Sequence, residues 1–217
     1  MISEKKAILF DMDGVLVDSE PQHYRAWNLV FREMGFEMPW EPYKPCIGST
    51  FPNLVRIVEE YTGKKINDLE AMRRSNKEKL KQVEAEEGVA AVEGVRELMP
   101  RFKEKGWRMA VASSSPKEQI ASTVKALGIE DCFELLFTGE SVPNPKPAPD
   151  TFLRCAEAMG VRPEECIVIE DSYNGSLAAR RAGMYCIGIQ NPGSGDQDLS
   201  NADMVIKEFK ELEGLLL

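Results

Sequence analysis

Ala7-Ile8-Leu9-Phe10 runs without interruption into Asp11-Met12-Asp13-Gly14, and no other stretch limits the fold so sharply. Four apolar residues are too few for a helix and suit a strand covered on both faces, as in a parallel sheet. The run predicts a first strand whose end delivers Asp11 and Asp13 to one edge, with Gly14 supplying a backbone state that other residues avoid. In open α/β sheets the crevice beyond the carboxyl ends of the strands is where ligands bind. Two carboxylates aimed into a crevice repel each other, so a cation is expected there.

The chain from about residue 92 onward alternates helix and strand. Val95, Leu98, Met99 and Phe102 mark an amphipathic helix, residues 107–112 a strand, and Ser115-Pro116-Lys117-Glu118 a capping box that opens the next helix. Residues 135–138 read as a strand, Asp150 as the cap of a helix to Met159, and 166–170 as a strand. Ser172 is expected to cap a helix to Ala182, followed by strands at 184–189 and 203–206 and a C-terminal helix. This rhythm predicts right-handed crossovers and an α/β, doubly wound parallel sheet. Before it stand three helices with no strand between them. Ser19-Glu20-Pro21-Gln22 is a second capping box, opening a stripe of His23, Trp27, Val30, Phe31 and Met34; Pro39, Pro42 and Pro45 then mark a loop, and helices follow at about 51–62 and 67–85. The expected organisation is an α/β core of residues 1–16 and 88–217, with a helical cap of residues 17–87 inserted after the first strand and hanging over its crevice.

Composition narrows the function. The 217 residues are 43% hydrophobic, enough for a sizeable core, and no apolar run approaches a membrane span of roughly 18 residues. No signal peptide is evident. Five cysteines without CxxC or zinc-ligand spacing point to reduced thiols and a cytoplasmic location. The net charge of −9 argues against nucleic acid or an anionic membrane as partner. An acidic protein that binds an anion must use a local positive group or a metal. With no heptad or long apolar edge, a monomer is expected.

The strand ends converge on one chemistry. Ser113, Ser114 and Ser115 follow the second predicted strand, Lys146 lies in the loop after the third, and Glu170-Asp171 follow the fourth. Carboxylates, hydroxyls and one lysine at one sheet edge fit phosphoryl transfer through an aspartyl-phosphate. A phosphate charge about 4 Å from a carboxylate is repelled by about 4 kcal/mol at an effective dielectric of about 20. A hard cation such as Mg²⁺ held by oxygen ligands removes that barrier. Lys146 and Ser113 would hold phosphate oxygens, and Asp13 would move the proton.

The stretch from Asp11 to Glu20, Ser113, the run Lys146-Pro147-Ala148-Pro149-Asp150 and the run Glu170-Asp171-Ser172-Tyr173-Asn174-Gly175 resemble the four motifs of the haloacid dehalogenase superfamily. The resemblance spans the chain and is nearest to the β-phosphoglucomutase-like phosphatases with an α-helical cap. It implies Asp11 as nucleophile, Asp13 as general acid/base, and Ser113 and Lys146 as phosphate ligands. It also implies Mg²⁺ held by Asp11, the Asp13 carbonyl and Asp171, with Glu170 acting directly or through water. His23, Arg25 and Trp27 match the mutase's first cap helix. The substrate set expected is then Ser113, Ser114, Lys146, Lys117, His23, Trp27, Gly48, Ser49, Thr50 and Asn53. The mutase carries an arginine after its cap glycine, where this chain has Phe51, so hydrolysis of a small phosphorylated metabolite, in particular a sugar phosphate, is favoured over β-phosphoglucomutase chemistry.

Plainer readings stand beside these. Ser115 reads as a helix cap rather than a ligand, Lys117 as a solvated first-turn residue, and Trp27 and His23 equally as packing of the cap. A receiver-type signalling domain also gathers an aspartate, a hydroxyl and a lysine, but without a helical insertion after its first strand. A metal-free dehalogenase has no use for Asp13.

Overall fold

The computed structural model describes residues 2–47 and 51–217. In chain order, β1 (Ala7–Phe10) is followed by α1 (Glu20–Glu33), α2 (Trp40–Tyr43), α3 (Phe51–Thr62) and α4 (Leu69–Glu87). Then come α5 (Val95–Lys105), β2 (Arg108–Ser113), α6 (Lys117–Leu127), β3 (Leu135–Thr138), α7 (Asp150–Met159) and β4 (Cys166–Glu170). The chain closes with α8 (Tyr173–Arg181), β5 (Tyr185–Ile189), β6 (Met204–Ile206) and α9 (Leu212–Leu216). Two compact units result. One is Met1–Asp18 with Val89–Pro192 and Asp196–Leu217; the other is Ser19–Gly88 with Gly193–Gly195.

The first unit is an α/β layer structure of the Rossmann-like kind. Among the described residues its sheet runs in the order β3-β2-β1-β4-β5-β6, with every pairing parallel. The strand period of two explains why β1 is apolar at each position. Ile8 and Phe10 enter one buried cluster with Leu98, Phe102, Ile120 and Leu212, while Ala7 and Leu9 enter another with Phe152, Cys155 and Ala179. Each large side chain fully buried this way contributes about 1.5–3 kcal/mol.

The second unit packs Trp27, Phe31, Leu54, Val58 and Met72 into its own cluster. Trp27 stacks on both Phe31 and Phe51, at centroid distances of 5.8 and 6.1 Å. The start of α1 is tied to the end of α4, where Gln22 Nε2 donates to the Gly88 carbonyl at 2.6 Å and Arg25 pairs with Glu86 and Glu87.

Several local expectations fail for identifiable reasons. Ser19 has helical backbone angles, φ −85° and ψ −18°, where a capping residue is extended, and it makes no side-chain capping bond; Gln22 turns to Gly88 instead of back to its own helix start. The cap of α6 is Pro116, not Ser115, and that of α7 is Pro149, with Asp150 as the first helical residue. Proline tolerates a helix start, since the N–H it lacks has no intrahelical partner there. The proline segment read as loop holds the short helix α2, with Pro42 inside it. Met34, on the predicted apolar stripe, is 40% exposed because α1 has ended. Ser172 does cap α8, its hydroxyl accepting from the Gly175 N–H at 3.0 Å.

Candidate active site

The strand order sets β1 between β2 and β4, so their carboxyl ends are neighbours at the middle of the sheet. Asp11 continues the ladder one residue past β1, donating its N–H to the Ile169 carbonyl at 3.0 Å. The chain then folds back sharply. The Met12 carbonyl accepts from the N–H groups of Val15, Leu16 and Val17, a turn that needs Gly14 at φ +75°. Asn191 braces this turn by donating to the Gly14 carbonyl at 2.8 Å.

Lys146 is the electrostatic centre. Its Nζ lies 2.6 Å from Asp11 Oδ1 and 2.9 Å from Glu170 Oε1, and it donates to the Ala112 carbonyl at 3.1 Å. The Phe152 ring sits beneath it, 4.6 Å from Nζ to centroid. Burial disfavours the ammonium, yet the two carboxylates outweigh it and hold Lys146 above the ordinary lysine value. Asp11 goes the other way. Burial above all, opposed by Lys146 and reinforced by Glu170 and Asp13, pushes its carboxyl up from 3.8 to about 7.

Glu170 is fixed on every side. Its Oε2 accepts from the N–H groups of Asp171 and Ser172 and from the Ser172 hydroxyl, at 2.9, 2.8 and 2.8 Å, while Oε1 serves Lys146. Gly175 on α8 presses against this carboxylate so closely that a Cβ there would fall 1.6 Å from Oε1 and 1.8 Å from Cδ. Asp171 is itself buried. On the other side of β1, Ser113 Oγ accepts from the Ser115 N–H at 3.1 Å, and Ser115 Oγ donates to Asp13 Oδ2 at 3.1 Å.

The sequence-derived set therefore divides. Asp11, Lys146 and Glu170 are in direct contact, with Asp13, Asp171 and Ser113 on adjoining strand ends of the same unit. Ser114 and Lys117 are exposed near the start of α6. His23, Trp27 and Asn53 belong to the helical unit, where Trp27 is buried in packing and Asn53 accepts from Arg56 at 2.9 Å. Gly48, Ser49 and Thr50 lie outside the described residues. Asn191 and Phe152 carry no sequence signal for the site; Gly175 lies within the run Glu170 to Gly175, and Ser115, which the sequence reads as a helix cap, reaches Asp13 instead.

The donor chemistry can be tested against a metal. Among the described residues, no three acidic, cysteine or histidine side chains stand ready to hold an ion. The carboxylates named for that role nevertheless outnumber the single ammonium four to one, and Asp11 is raised partly by its acidic neighbours. Such an excess of hard oxygen donors fits a divalent cation. Glu170, with both oxygens already engaged, is placed to orient Lys146 more than to ligate directly.

A parallel α/β fold with acid and lysine groups at the central strand ends defines a phosphoryl-transfer-type hydrolase scaffold. The family model of the haloacid dehalogenase-like hydrolases matches residues 8–189, and the chain belongs to that family. It is 32% identical to the phosphorylated carbohydrates phosphatase of Thermotoga maritima, over 82% of this chain and 82% of that protein. A family hydrolase from Deinococcus radiodurans, solved with phosphate and sodium bound, superposes with a TM-score of 0.85 at 26% identity, covering 98% and 95% of the two chains. The β-phosphoglucomutase of Clostridium difficile superposes with a TM-score of 0.72 at 25% identity, covering 96% and 93%. The chain is thus a hydrolase of this family, of the phosphoglucomutase-like subgroup. Among the described residues no helix is long and apolar enough to cross a membrane.

Proposed function

We propose that the protein is a Mg²⁺-dependent phosphatase of small phosphorylated sugars that works through an aspartyl-phosphate on Asp11. The observation that carries the reading is the buried Asp11–Lys146–Glu170 contact at the end of β1, with Nζ 2.6 and 2.9 Å from the two carboxylates. The likeness to a carbohydrate-phosphate phosphatase supports the substrate class.

In this reading an Asp11 oxygen forms a bond to phosphorus as the bond from phosphorus to the sugar oxygen breaks. Asp13 gives its proton to the departing oxygen. Water then attacks the phosphorus, the Asp11–phosphorus bond breaks, Asp13 takes up the water proton, and orthophosphate leaves. Lys146 and the Ser113 hydroxyl bind the non-bridging oxygens throughout, and they gain most as charge builds there. Asp11, Asp171 and the Asp13 carbonyl would hold the cation. When bound, it would keep Asp11 ionised and shield it from the incoming anion.

The test is phosphate release from a panel of sugar monophosphates with Mg²⁺, beside borohydride trapping of the acyl phosphate. Trapping should convert position 11 to homoserine in the wild type and leave Asp11→Asn unlabelled. Turnover without any trapped species, or trapping at another residue, would overturn the mechanism.

One observation favours a second reading, β-phosphoglucomutase. The Arg73 guanidinium packs on the Phe51 ring, 4.4 Å from its centroid, so a cation stands beside the residue that replaces the mutase's arginine. Primed conversion of β-glucose 1-phosphate to glucose 6-phosphate with little phosphate release would select that reading. Steady release of phosphate with poor isomerisation selects the phosphatase.

A further inference from the structure

Ser115 sits where a helix cap was expected, yet its hydroxyl does something else. It donates to Asp13 Oδ2 at 3.1 Å, a bond from the loop after β2 to the turn after β1. The Ser115 backbone is pinned from two sides. Its N–H donates to Ser113 Oγ at 3.1 Å, and its carbonyl accepts from Thr138 Oγ1, at the end of β3, at 2.8 Å. Gly139 closes the same junction. A Cβ there would come within 3.3 Å of the Ser113 carbonyl and 3.4 Å of Ser114 Cα, so the segment from β3 lies directly against the serine turn.

We infer that Ser115 is a positioning residue for Asp13, held by a strut from Thr138, and that it sets the orientation in which Asp13 delivers and recovers its proton. The inference rests on the acid/base role proposed for Asp13. A hydroxyl suits the task because it can donate to the ionised carboxylate and, after turning, accept from the protonated one. The same carboxyl group can therefore be held through both halves of the reaction. A backbone N–H, which only donates, would favour the ionised half alone. The Ser115 N–H also occupies the Ser113 oxygen, which turns the Ser113 O–H toward another acceptor. One turn of chain thereby orients a phosphate donor and a proton carrier together.

Leaving-group dependence separates this role from simple phosphate binding or structural support. The phenolate of p-nitrophenyl phosphate departs without a proton, whereas the alkoxide of glycerol 2-phosphate requires one. General acid catalysis is worth about 10²–10⁴-fold, so Asp13→Asn should lose far more kcat/KM on glycerol 2-phosphate than on p-nitrophenyl phosphate. Ser115→Ala should show the same discrimination in weaker form, with about a 10-fold greater loss on the alkyl ester. Ser115→Thr, which keeps the hydroxyl, should restore most of it. Thr138→Val should tilt the ratio in the same direction by less, with thermal melts confirming that each variant is folded. Equal losses of Ser115→Ala on both esters, no loss on either, or failure of folded Ser115→Thr to rescue would each overturn the inference while leaving Asp13 in its role. If Asp13→Asn itself shows no discrimination, the acid/base reading falls, and the Ser115 inference falls with it.

Discussion

Replacing Gly175 by alanine sets a helix-propensity gain against a buried clash, and the structure says which wins. Gly175 lies inside α8, where alanine is favoured over glycine by about 0.8–1 kcal/mol. The added Cβ, however, would sit 1.6, 1.8 and 2.4 Å from the Oε1, Cδ and Oε2 atoms of Glu170. No rotation within the site absorbs that overlap while Oε2 keeps its three donors and Oε1 keeps Lys146. Hydrogen bonds to charged groups are worth about 1.5–3 kcal/mol each. Losing two of the four outweighs the helix gain and leaves a net cost of about 2–5 kcal/mol. For a chain of this size each kcal/mol moves the melting temperature by about 2–4 °C, so Gly175→Ala should melt roughly 10 °C below the wild type. Lys146 should also lose one of its two carboxylate anchors, and phosphate release should fall with it. The clash is with one side chain, which gives a direct control. In a Glu170→Ala background the same Gly175→Ala change should be neutral or stabilising, a coupling that a double-mutant cycle isolates. An unchanged or higher melting temperature for Gly175→Ala alone would refute the reasoning.

The other expectations follow from the same contacts. Asp11→Asn should abolish phosphate release and leave the circular dichroism spectrum unchanged; more than residual turnover would remove Asp11 from the nucleophile role. Because the folded Asp11 carboxyl keeps its proton where the unfolded one has lost it, its contribution to stability is fullest below pH 3.8 and declines as pH rises to about 7. In metal-free buffer the melting temperature of the wild type relative to Asp11→Asn should therefore fall across that window; a flat difference would contradict the raised value. Chelation with EDTA should stop turnover and Mg²⁺ restore it, with Asp171→Ala needing much more Mg²⁺; full activity in EDTA would exclude the metal requirement. Phe152→Leu removes a ring from beneath a buried ammonium, worth about 2 kcal/mol when desolvated, and should lower the urea midpoint and kcat together; an unchanged midpoint would deny the ring that role.

What the sequence made legible depends on how local each cause is. β1 and β4 could be read because strands buried on both faces are continuous apolar runs, and the polar residue that ends each run is the group brought to the edge; β3, a half-buried edge strand, could be read from its short apolar run Leu135-Leu136-Phe137. The long helices could be read from their periodicity. The failures share a different origin. Ser115-Pro116-Lys117-Glu118 has the form of a capping box, but whether its serine faces its own helix or Asp13 is decided by a residue 102 positions away in the chain. Gln22 likewise answers to Gly88, 66 residues away. A glycine in the first turn of α8 gives no warning that a carboxylate occupies the space where its side chain would be. Motif spacing identifies which groups reach the edge; only packing shows which of them orient the others.

The three carboxylates nearest the reaction site illustrate how one residue type is given separate tasks by its surroundings. Glu170 is almost fully buried, and both its oxygens are engaged, by three donors on one and an ammonium on the other. Saturated in this way, it ties Lys146 to the start of α8. Asp11 is also buried, but only Oδ1 is engaged by Lys146, and its carboxyl is raised toward neutrality. An oxygen held this loosely is the kind that a cation can claim and a phosphorus atom can reach. Asp13 is less buried and bonded by a hydroxyl, which tolerates either protonation state. Three partners of different kinds separate the surroundings of these carboxylates: an ammonium shared between two acids, a cluster of backbone N–H groups, and a serine hydroxyl braced from the next strand.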